Sequence, residues 1–290
     1  MASSGREAKS EGFAVELGKE RCTKAGDWLT VRDLERSATA HLVPELLRVL
    51  RQVRTPVDRY LDVGCGFGGL TRLVADRLSA KEICGIDIDE NALLEAAQKG
   101  VQVRRVDVGS ETLPFEAAYF DLVTAFGMLD YLPYFDGAVR EFFRVLRPGG
   151  YLLIALPNLA SWHNRFALMF GFQPRDVEIS SQELVGTAGW YKRRGDRPVG
   201  HIHTATVRAM QELLGLCGFR LVVTVGAGYP GRELPWLVRV IDWLACKRPG
   251  LARRVFYLAQ KGTQERSIAA VAPAACPRGI PELPRDSETR

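Results

Sequence analysis

No stretch of the chain approaches the roughly 18 uninterrupted apolar residues that a membrane-spanning helix requires, so no transmembrane segment is expected. The opening Met1-Ala2-Ser3-Ser4-Gly5-Arg6-Glu7 is too polar for the apolar core of a secretory signal, and a soluble, cytoplasmic protein is expected. Cysteine is sparse: six residues in 290, Cys22, Cys65, Cys84, Cys217, Cys246 and Cys276, with no CxxC pair and no finger-type spacing. That pattern argues against a disulfide scaffold or a zinc ribbon, leaving reduced, mostly structural thiols and no metal site. No internal repeat is visible, which excludes solenoids and propellers. Histidine is also scarce, with four residues, His41, His163, His201 and His203, so few side chains titrate near neutrality without tuning.

What the chain does have is a glycine-rich turn in Leu61-Asp62-Val63-Gly64-Cys65-Gly66-Phe67-Gly68-Gly69-Leu70, followed by a second acidic strand end, Gly85-Ile86-Asp87-Ile88-Asp89. A strand that turns at once into a helix needs residues able to take positive φ and to let a ligand approach bare backbone. A carboxylate about twenty residues further on completes the anatomy of a nucleoside-binding αβ unit. The loop fits two templates. Gly64, Gly66 and Gly69 satisfy GxGxxG, and Asp62-x-Gly64-x-Gly66-x-Gly68 satisfies a looser acidic form, so the loop alone does not choose between cofactors. Asp62 could accept bonds from a cationic amino-acid tail or from the loop's own amides, and it would be unwelcome beside an anionic pyrophosphate. A third acidic strand end, Val103-Arg104-Arg105-Val106-Asp107-Val108, places an acceptor where an adenine amino group would need one. Phe120 to Phe126 and the turn Arg147-Pro148-Gly149-Gly150 before Tyr151 continue the series.

Together these motifs resemble the class I S-adenosylmethionine (SAM) dependent methyltransferase superfamily, from about Tyr60 to Lys261. The resemblance implies that the loop Gly64, Cys65, Gly66 and Gly68 approaches the methionine part of S-adenosyl-L-methionine. It also implies that Asp87 binds both ribose hydroxyls, that Asp107 contacts adenine, and that Asp62, Ile88, Val108 and Phe126 complete the cofactor site. Leu156-Pro157-Asn158 through Arg165, with Gly200-His201-Ile202-His203-Thr204, is similar to bacterial small-molecule methyltransferases of the MetW and ubiquinone-pathway types. The implied fold is an α/β, Rossmann-like, seven-stranded sheet in the order 3-2-1-4-5-7-6, mostly parallel with an antiparallel last strand.

Alternating patterns support that fold: strands near 60–63, 82–86, 101–106, 120–125, 150–155, 219–226 and 254–260, with helices near 68–79, 90–99, 136–147, 204–216 and 234–246. Residues 1–25 read as a flexible tail, and 263–290, with Pro273, Pro277, Pro281 and Pro284, as a disordered one. The methyltransferase domain is expected over 26–262. Trp28, Val31, Leu34, Leu42, Val43, Leu46, Leu47 and Leu50 recur at helical spacing, as a lid over the cofactor or a cap on the sheet. Residues 157–204 form an insertion that could meet an acceptor, with Asn158, Trp162, His163, Asn164, Arg165, Trp190, Tyr191, His201 and His203, and read as a substrate cap.

The net charge of +5 conceals an asymmetry. Residues 56–186 carry 12 Lys/Arg against 18 Asp/Glu, a balance of −6, whereas residues 187–261 carry 13 against 4, a balance of +9. The basic third reads first as a solvated surface and otherwise as a field attracting an anionic small acceptor, while the lack of an RNA-binding module leaves nucleic acid weakly supported as a partner. The apolar run 234–246, followed by Lys247-Arg248, reads as a core crossover helix. The competing reading is a helix in weak contact with a membrane surface, serving a lipophilic acceptor.

Methyl transfer from a sulfonium asks the protein for an in-line nucleophile, exclusion of water and, where needed, a proton acceptor. The candidate bases are His201, His203 and His163, and an extended 201–203 would turn His201 and His203 the same way. Asp130-Tyr131 lies at the cleft edge, as a substrate contact or as a helix-start carboxylate with a packing tyrosine. The expected activity is methylation of oxygen or nitrogen on a small molecule, anionic or phenolic. Thirty-one arginines against eight lysines hint at a GC-rich bacterial genome and at secondary metabolism. A nicotinamide-dependent oxidoreductase, a non-catalytic SAM-binding regulator, and a methyltransferase for lipophilic or macromolecular acceptors are the alternatives. The sequence does not fix the oligomeric state.

Overall fold

A computed structural model describes residues 42–54, 56–189, 197–228 and 235–262. The two expected tails, the segment with Trp28, Val31, Leu34 and His41, and Trp190, Tyr191 and Lys192-Arg193-Arg194 of the cap lie outside these residues. The elements in chain order are α1 (Val43–Leu50), β1 (Arg59–Val63), α2 (Gly69–Leu78), β2 (Glu82–Asp87), α3 (Glu90–Gln98), β3 (Gln102–Arg105) and β4 (Phe120–Phe126). After a 3-10 turn over Leu129–Tyr131 come α4 (Asp136–Val145), β5 (Leu146–Pro157), α5 (Trp162–Met169), α6 (Val207–Leu216), β6 (Phe219–Ala227), α7 (Trp236–Cys246) and β7 (Arg254–Lys261).

The sheet runs β3-β2-β1-β4-β5-β7-β6, the expected order. β1 to β5 are parallel, and β7 is antiparallel to both neighbours. Alternation along each strand divides the core between the two faces. Leu61, Val63, Val123 and Ile154 join one buried cluster, and Tyr60, Leu122 and Leu153 join the other. Because β1, β2, β3, β4 and β5 are parallel, their C-terminal ends share one edge. Pairing of Pro157 with Arg254 adds the first residue of β7 to it. Parallel open sheets bind their ligands at that edge.

Helix ends differ from the expected ones for local reasons. α4 stops at Val145 rather than 147, because Arg147 precedes Pro148 and a residue before proline is pushed out of the α region. α6 starts at Val207 rather than 204, capped by Thr206, whose hydroxyl accepts from the Ala209 amide. The turn through Gly149 and Gly150 is tight. Gly149 takes φ 77°, and a Cβ on Gly150 would stand 3.0 Å from the Arg147 carbonyl and 3.1 Å from that of Asp121. Beside it the Asp121 carboxylate accepts from the amides of Asp58 and Arg59 at 2.8 Å each and pairs with the Arg147 guanidinium.

Two expectations about helices resolve here. α1 buries Val43, Leu46, Val49 and Leu50 and lies against β6, β7 and α2, the sheet-capping position. α7 does not bury the apolar surface expected of a core crossover. Its buried residues are Asp242 and Ala245, while Trp236 is 73% and Trp243 61% exposed. Asp242 points inward, where its carboxylate accepts a hydrogen bond from the Trp162 indole at 2.8 Å. Among the described residues no helix is long and apolar enough to cross a membrane.

Asp121→Ala removes a carboxylate serving two strand-entry amides and should cost about 1–3 kcal/mol in urea denaturation. Arg147→Ala should cost less, because half-exposed ion pairs contribute little.

Candidate functional site

The glycine loop is built from two backbone anchors. The amides of Gly64 and Cys65 both donate to the Ile86 carbonyl, at 2.8 and 3.0 Å, and the Gly68 amide donates to the Cys65 carbonyl at 3.0 Å. The three alternate glycines take φ of 75°, 49° and 75°. Their surroundings differ. A Cβ on Gly64 would lie 2.7 Å from Met128 Cβ, and one on Gly68 would lie 2.9 Å from Ala96 Cα, so both are required by packing. A Cβ on Gly66 would meet nothing within 4 Å, so Gly66 presents bare backbone to open space.

Asp87 holds that open point in place. One of its oxygens accepts from the Gly66 amide at 2.8 Å and the other from the Asp89 amide at 3.0 Å. Asp89 caps α3 through the amides of Asn91 and Ala92. The intervening Ile88 is 56% exposed, an apolar side chain offered to the space beside the loop. Asp107 accepts from the Gly109 amide at 3.0 Å and the Ser110 hydroxyl at 2.7 Å. These bonds, the hydroxyl's first, hold its pKa below the ordinary carboxylate value. Val108 is half-buried against the core, Phe126 meets Phe256 edge-on, and burial pushes the Cys65 thiol far up.

Asp62 corrects one expectation. It is 2% exposed, and its two oxygens accept from the hydroxyls of Thr71 and Thr124, both at 2.6 Å, rather than from loop amides. The Thr124 hydroxyl also meets the Tyr60 hydroxyl at 2.7 Å. Burial pushes the Asp62 pKa up to about 6 against the opposing threonine hydrogen bonds, with a further push from the charge of Asp87.

The turn after β4 links this loop to the second half of the edge. Met128 packs at Gly64, and Leu132 lies where a Cβ on Gly109 would be 3.4 Å away, so Leu129–Tyr131 sits between the β1 and β3 loops. Asp130 in that turn is completely buried, and neither of its oxygens has a hydrogen-bond partner. Burial raises its pKa to about 7, opposed by the charge of Arg254. His201 Nε2 stands 3.7 Å from the carboxylate, the imidazole leans on Tyr131 at 5.3 Å, and its Nδ1 is buried without a hydrogen-bond partner. Burial lowers the His201 pKa.

The segment carrying this histidine is fixed by carboxyl and carbonyl acceptors. Glu178 accepts from the amides of Val199, Gly200 and His201, and the Asp130 carbonyl accepts from those of Ile202 and His203. The two histidines therefore do not share an environment: His203 is exposed, its ring 6.4 Å from that of Tyr134. His163 is buried, with Nε2 3.3 Å from the Ser161 hydroxyl and 3.9 Å from Asp176, and burial lowers its pKa. Asp176, Glu178 and Arg254 were not candidates from the sequence. Arg254 reaches the edge only because an antiparallel β7 starts there, a fact carried by topology and not by any local motif. Among the described residues no group of His, Cys, Asp or Glu is placed to hold a metal ion.

A sheet in this order, with a glycine loop clamped by an acid from the next strand, defines the class I methyltransferase architecture. Residues 61–154 match the family model described as a methyltransferase domain. The chain is 30% identical over 183 residues to the phthiotriol/phenolphthiotriol dimycocerosates methyltransferase of Mycobacterium leprae, covering 60% of this chain and 67% of that protein. It is 33% identical over 111 residues to the ubiquinone biosynthesis O-methyltransferase of Idiomarina loihiensis, covering 36% of this chain and 45% of the relative. It is 35% identical over 111 residues to the malonyl-[acyl-carrier protein] O-methyltransferase of Enterobacter lignolyticus, covering 37% and 43%. The chain thus spans two thirds of the first relative and less than half of the other two. A SAM-dependent methyltransferase structure from Thermotoga maritima, described as a possible histamine N-methyltransferase, shares the fold with a TM-score of 0.52 at 17% identity, over 81% of this chain and 97% of that one. The protein belongs to the bacterial-type class I SAM-dependent methyltransferases, and S-adenosyl-L-methionine is its cofactor. The bare backbone at Gly66, the exposed Ile88 and the acid at Asp87 fit that molecule's mixed polar and apolar surface.

Both raised carboxylates have a consequence for stability. A carboxyl whose folded pKa lies above its unfolded value binds more protons in the native state, so stability falls as pH rises through that interval. Asp62 and Asp130, at about 6 and about 7 against ordinary values near 4, should make the protein lose stability between about pH 4 and 7. Denaturation midpoints across that range should show the decline, and Asp130→Asn should flatten its upper part.

Proposed function

We propose that the chain methylates an oxygen or nitrogen of a small acceptor, anionic or phenolic, with His201 receiving the acceptor's proton. The observation that carries this reading is the Asp130–His201 pair, a buried carboxylate 3.7 Å from an imidazole whose other nitrogen has no partner. In this reading the ionised form of Asp130, gained as pH rises through about 7, favours the tautomer protonated at Nε2, which leaves the Nδ1 lone pair as the base. The lowered pKa of His201 keeps it neutral near pH 7, and Asp130 then stabilises the imidazolium as the proton arrives. Arg254, whose Nη1 is buried without a partner, supports an anionic acceptor, as does the +9 balance of residues 187–261. His163, held by Ser161 and facing Asp176, supports the cap from behind. The free thiols Cys65, Cys84, Cys217 and Cys246 suit a cytoplasmic setting, and secondary metabolism remains part of this reading.

When bound, SAM supplies an electrophilic methyl on a sulfonium. The chain's own part is to hold it: Asp87 for the ribose hydroxyls, Ile88 and Val108 against the adenine faces, and Asp107 toward its amino group. The loop Gly64, Cys65, Gly66 and Gly68 lies along the methionine part, with Phe126 at its floor and Asp62 bracing the loop from below. The domain is taken as 26–262, with 157–204 as the acceptor cap.

A second reading has specific support. The first relative acts, by its name, on phthiotriol dimycocerosates, and α7 turns large apolar side chains outward, so a lipophilic acceptor fits the same donor site.

Asp87→Ala should weaken SAM binding by about 1.5–3 kcal/mol, roughly 10- to 150-fold by calorimetry, with circular dichroism unchanged. Retained affinity in a folded variant would remove Asp87 from the ribose role. A panel of phenols and carboxylic acids assayed with labelled SAM should identify an acceptor. His201→Ala should then lower kcat by about 10²- to 10⁴-fold with SAM affinity intact, and His203→Ala should change neither. Loss of SAM affinity in His201→Ala would assign that residue to the cofactor side.

A further inference from the structure

Apolar residues on a helix that connects two strands ordinarily face the sheet, and α7 reverses this. Its inward residues are a carboxylate and an alanine, and Trp236, Leu237, Trp243 and Leu244 are all more than half exposed. α5, joined to α7 by the Trp162–Asp242 hydrogen bond, repeats the pattern: His163, Asn164 and Ala167 face inward, and Leu168, Met169 and Phe170 are exposed. Two neighbouring helices thus hold polar side chains in the interior and turn their large apolar ones outward, at a cost of about 25 cal/mol for each Å² left in water. An exposed patch of this kind marks an interaction surface.

The charge on the two helices selects the partner. Residues 159–173 and 235–248 contain Arg165, Arg239, Lys247 and Arg248, and Asp242 is their only acid, already buried and hydrogen-bonded. Arg239 and Arg248 form no ion pair among the described residues, and Lys247 Nζ lies 3.6 Å above the Trp243 ring. Tryptophan suits the boundary between headgroups and acyl chains, where its ring meets apolar matter and its N–H meets water. Basic side chains beside it attract anionic headgroups, each contributing through a field that salt screens. A protein partner would ask for acidic or hydrogen-bonding complements at defined points, whereas unpaired cations interspersed with tryptophan and leucine match a fluid negative surface.

We propose that α5 and α7 form a docking surface for the anionic face of a lipid bilayer, on which the protein sits peripherally. The inference does not rest on the identity of the acceptor, since docking needs neither acceptor nor SAM.

The full chain should co-sediment with vesicles of phosphatidylglycerol and phosphatidylcholine, and much less with phosphatidylcholine alone. Tryptophan fluorescence should shift to the blue on binding, and 0.5 M salt should release the protein. Leu244→Glu combined with Trp236→Glu should abolish sedimentation while SAM affinity stays at the parent's value, which shows the fold intact. Reversing Arg239 or Arg248 should weaken binding about fivefold per residue on anionic vesicles only. Absence of sedimentation by the full chain, or sedimentation unchanged in the double variant, would overturn the proposal. So would a dimer dispersed by Leu244→Glu, since the face would then be a contact between copies. Loss of thermal stability in the double variant without any vesicle binding would also overturn it, since another part of the chain would then cover the face.

Discussion

A carboxylate almost cut off from water must be satisfied by the protein, and at Asp62 the satisfying groups come from the two elements that flank the cofactor loop. Thr71 belongs to the helix that follows the loop and Thr124 to the strand beside it, so one residue fixes β1, α2 and β4 relative to one another. The Tyr60 hydroxyl, two residues back along β1 and on the same face of the sheet, extends this chain of hydrogen bonds through Thr124. A buried network fully supplied with donors rigidifies its surroundings. The loop between these anchors is therefore free to present backbone: Gly64 and Gly68 are pinned by close contacts with Met128 and Ala96, and only Gly66 is left uncovered. Asp87 then needs to hold a single amide to complete the donor side.

This construction explains why the donor side was legible in the sequence. Its parts are backbone groups and strand-end acids in consecutive segments, and the positive φ at Gly64, Gly66 and Gly68 is a requirement that only glycine meets without strain. Asp62, Asp87 and Asp107 recur at strand ends at intervals the chain itself displays. The role of Asp62 was harder to read, because a threonine nine residues later and another 62 residues later do not advertise themselves as its partners. The proposed acceptor side depends on such distant pairings throughout. His201 was a candidate because histidine titrates near neutral pH without tuning, but Asp130 lies 71 positions earlier and Arg254 is placed by the antiparallel entry of β7. No periodicity links them, and the difference between the partly buried His201 and the exposed His203 follows from which side chain the Asp130 turn receives.

α7 shows the opposite failure, in which a strong local signal points the wrong way. An apolar run between two strands reads as buried because burial is the usual fate of such residues. The helix instead turns Asp242 inward, where it accepts from the Trp162 indole, and leaves Trp236 and Trp243 outward. Helix ends went astray by only a few residues and for reasons that are local: the proline after Arg147 and the threonine cap at 206. Global pattern was thus reliable for the sheet and its order, and unreliable for which side of α7 faces the interior.

The two halves of the edge also differ in how well their polar groups are satisfied. Around the donor loop nearly every carboxyl oxygen accepts a bond, from threonine hydroxyls at Asp62, amides at Asp87, or an amide and a serine at Asp107. Around Asp130 the opposite holds: both its oxygens, His201 Nδ1 and Arg254 Nη1 are buried and lack hydrogen-bond partners. Leaving such atoms unpaired costs about 1–3 kcal/mol each, a burden that ordinary core positions do not carry. Natural sequences break their own local rules mainly where function demands it. A donor site that is complete without its ligand and a neighbouring set of groups that is not form a consistent pair. The first must bind the same cofactor in every turnover, so its geometry is finished in advance. Under the proposed function the second exchanges hydrogen bonds with an acceptor that arrives with a proton and leaves without it, and groups already satisfied by the protein could not take part in that exchange.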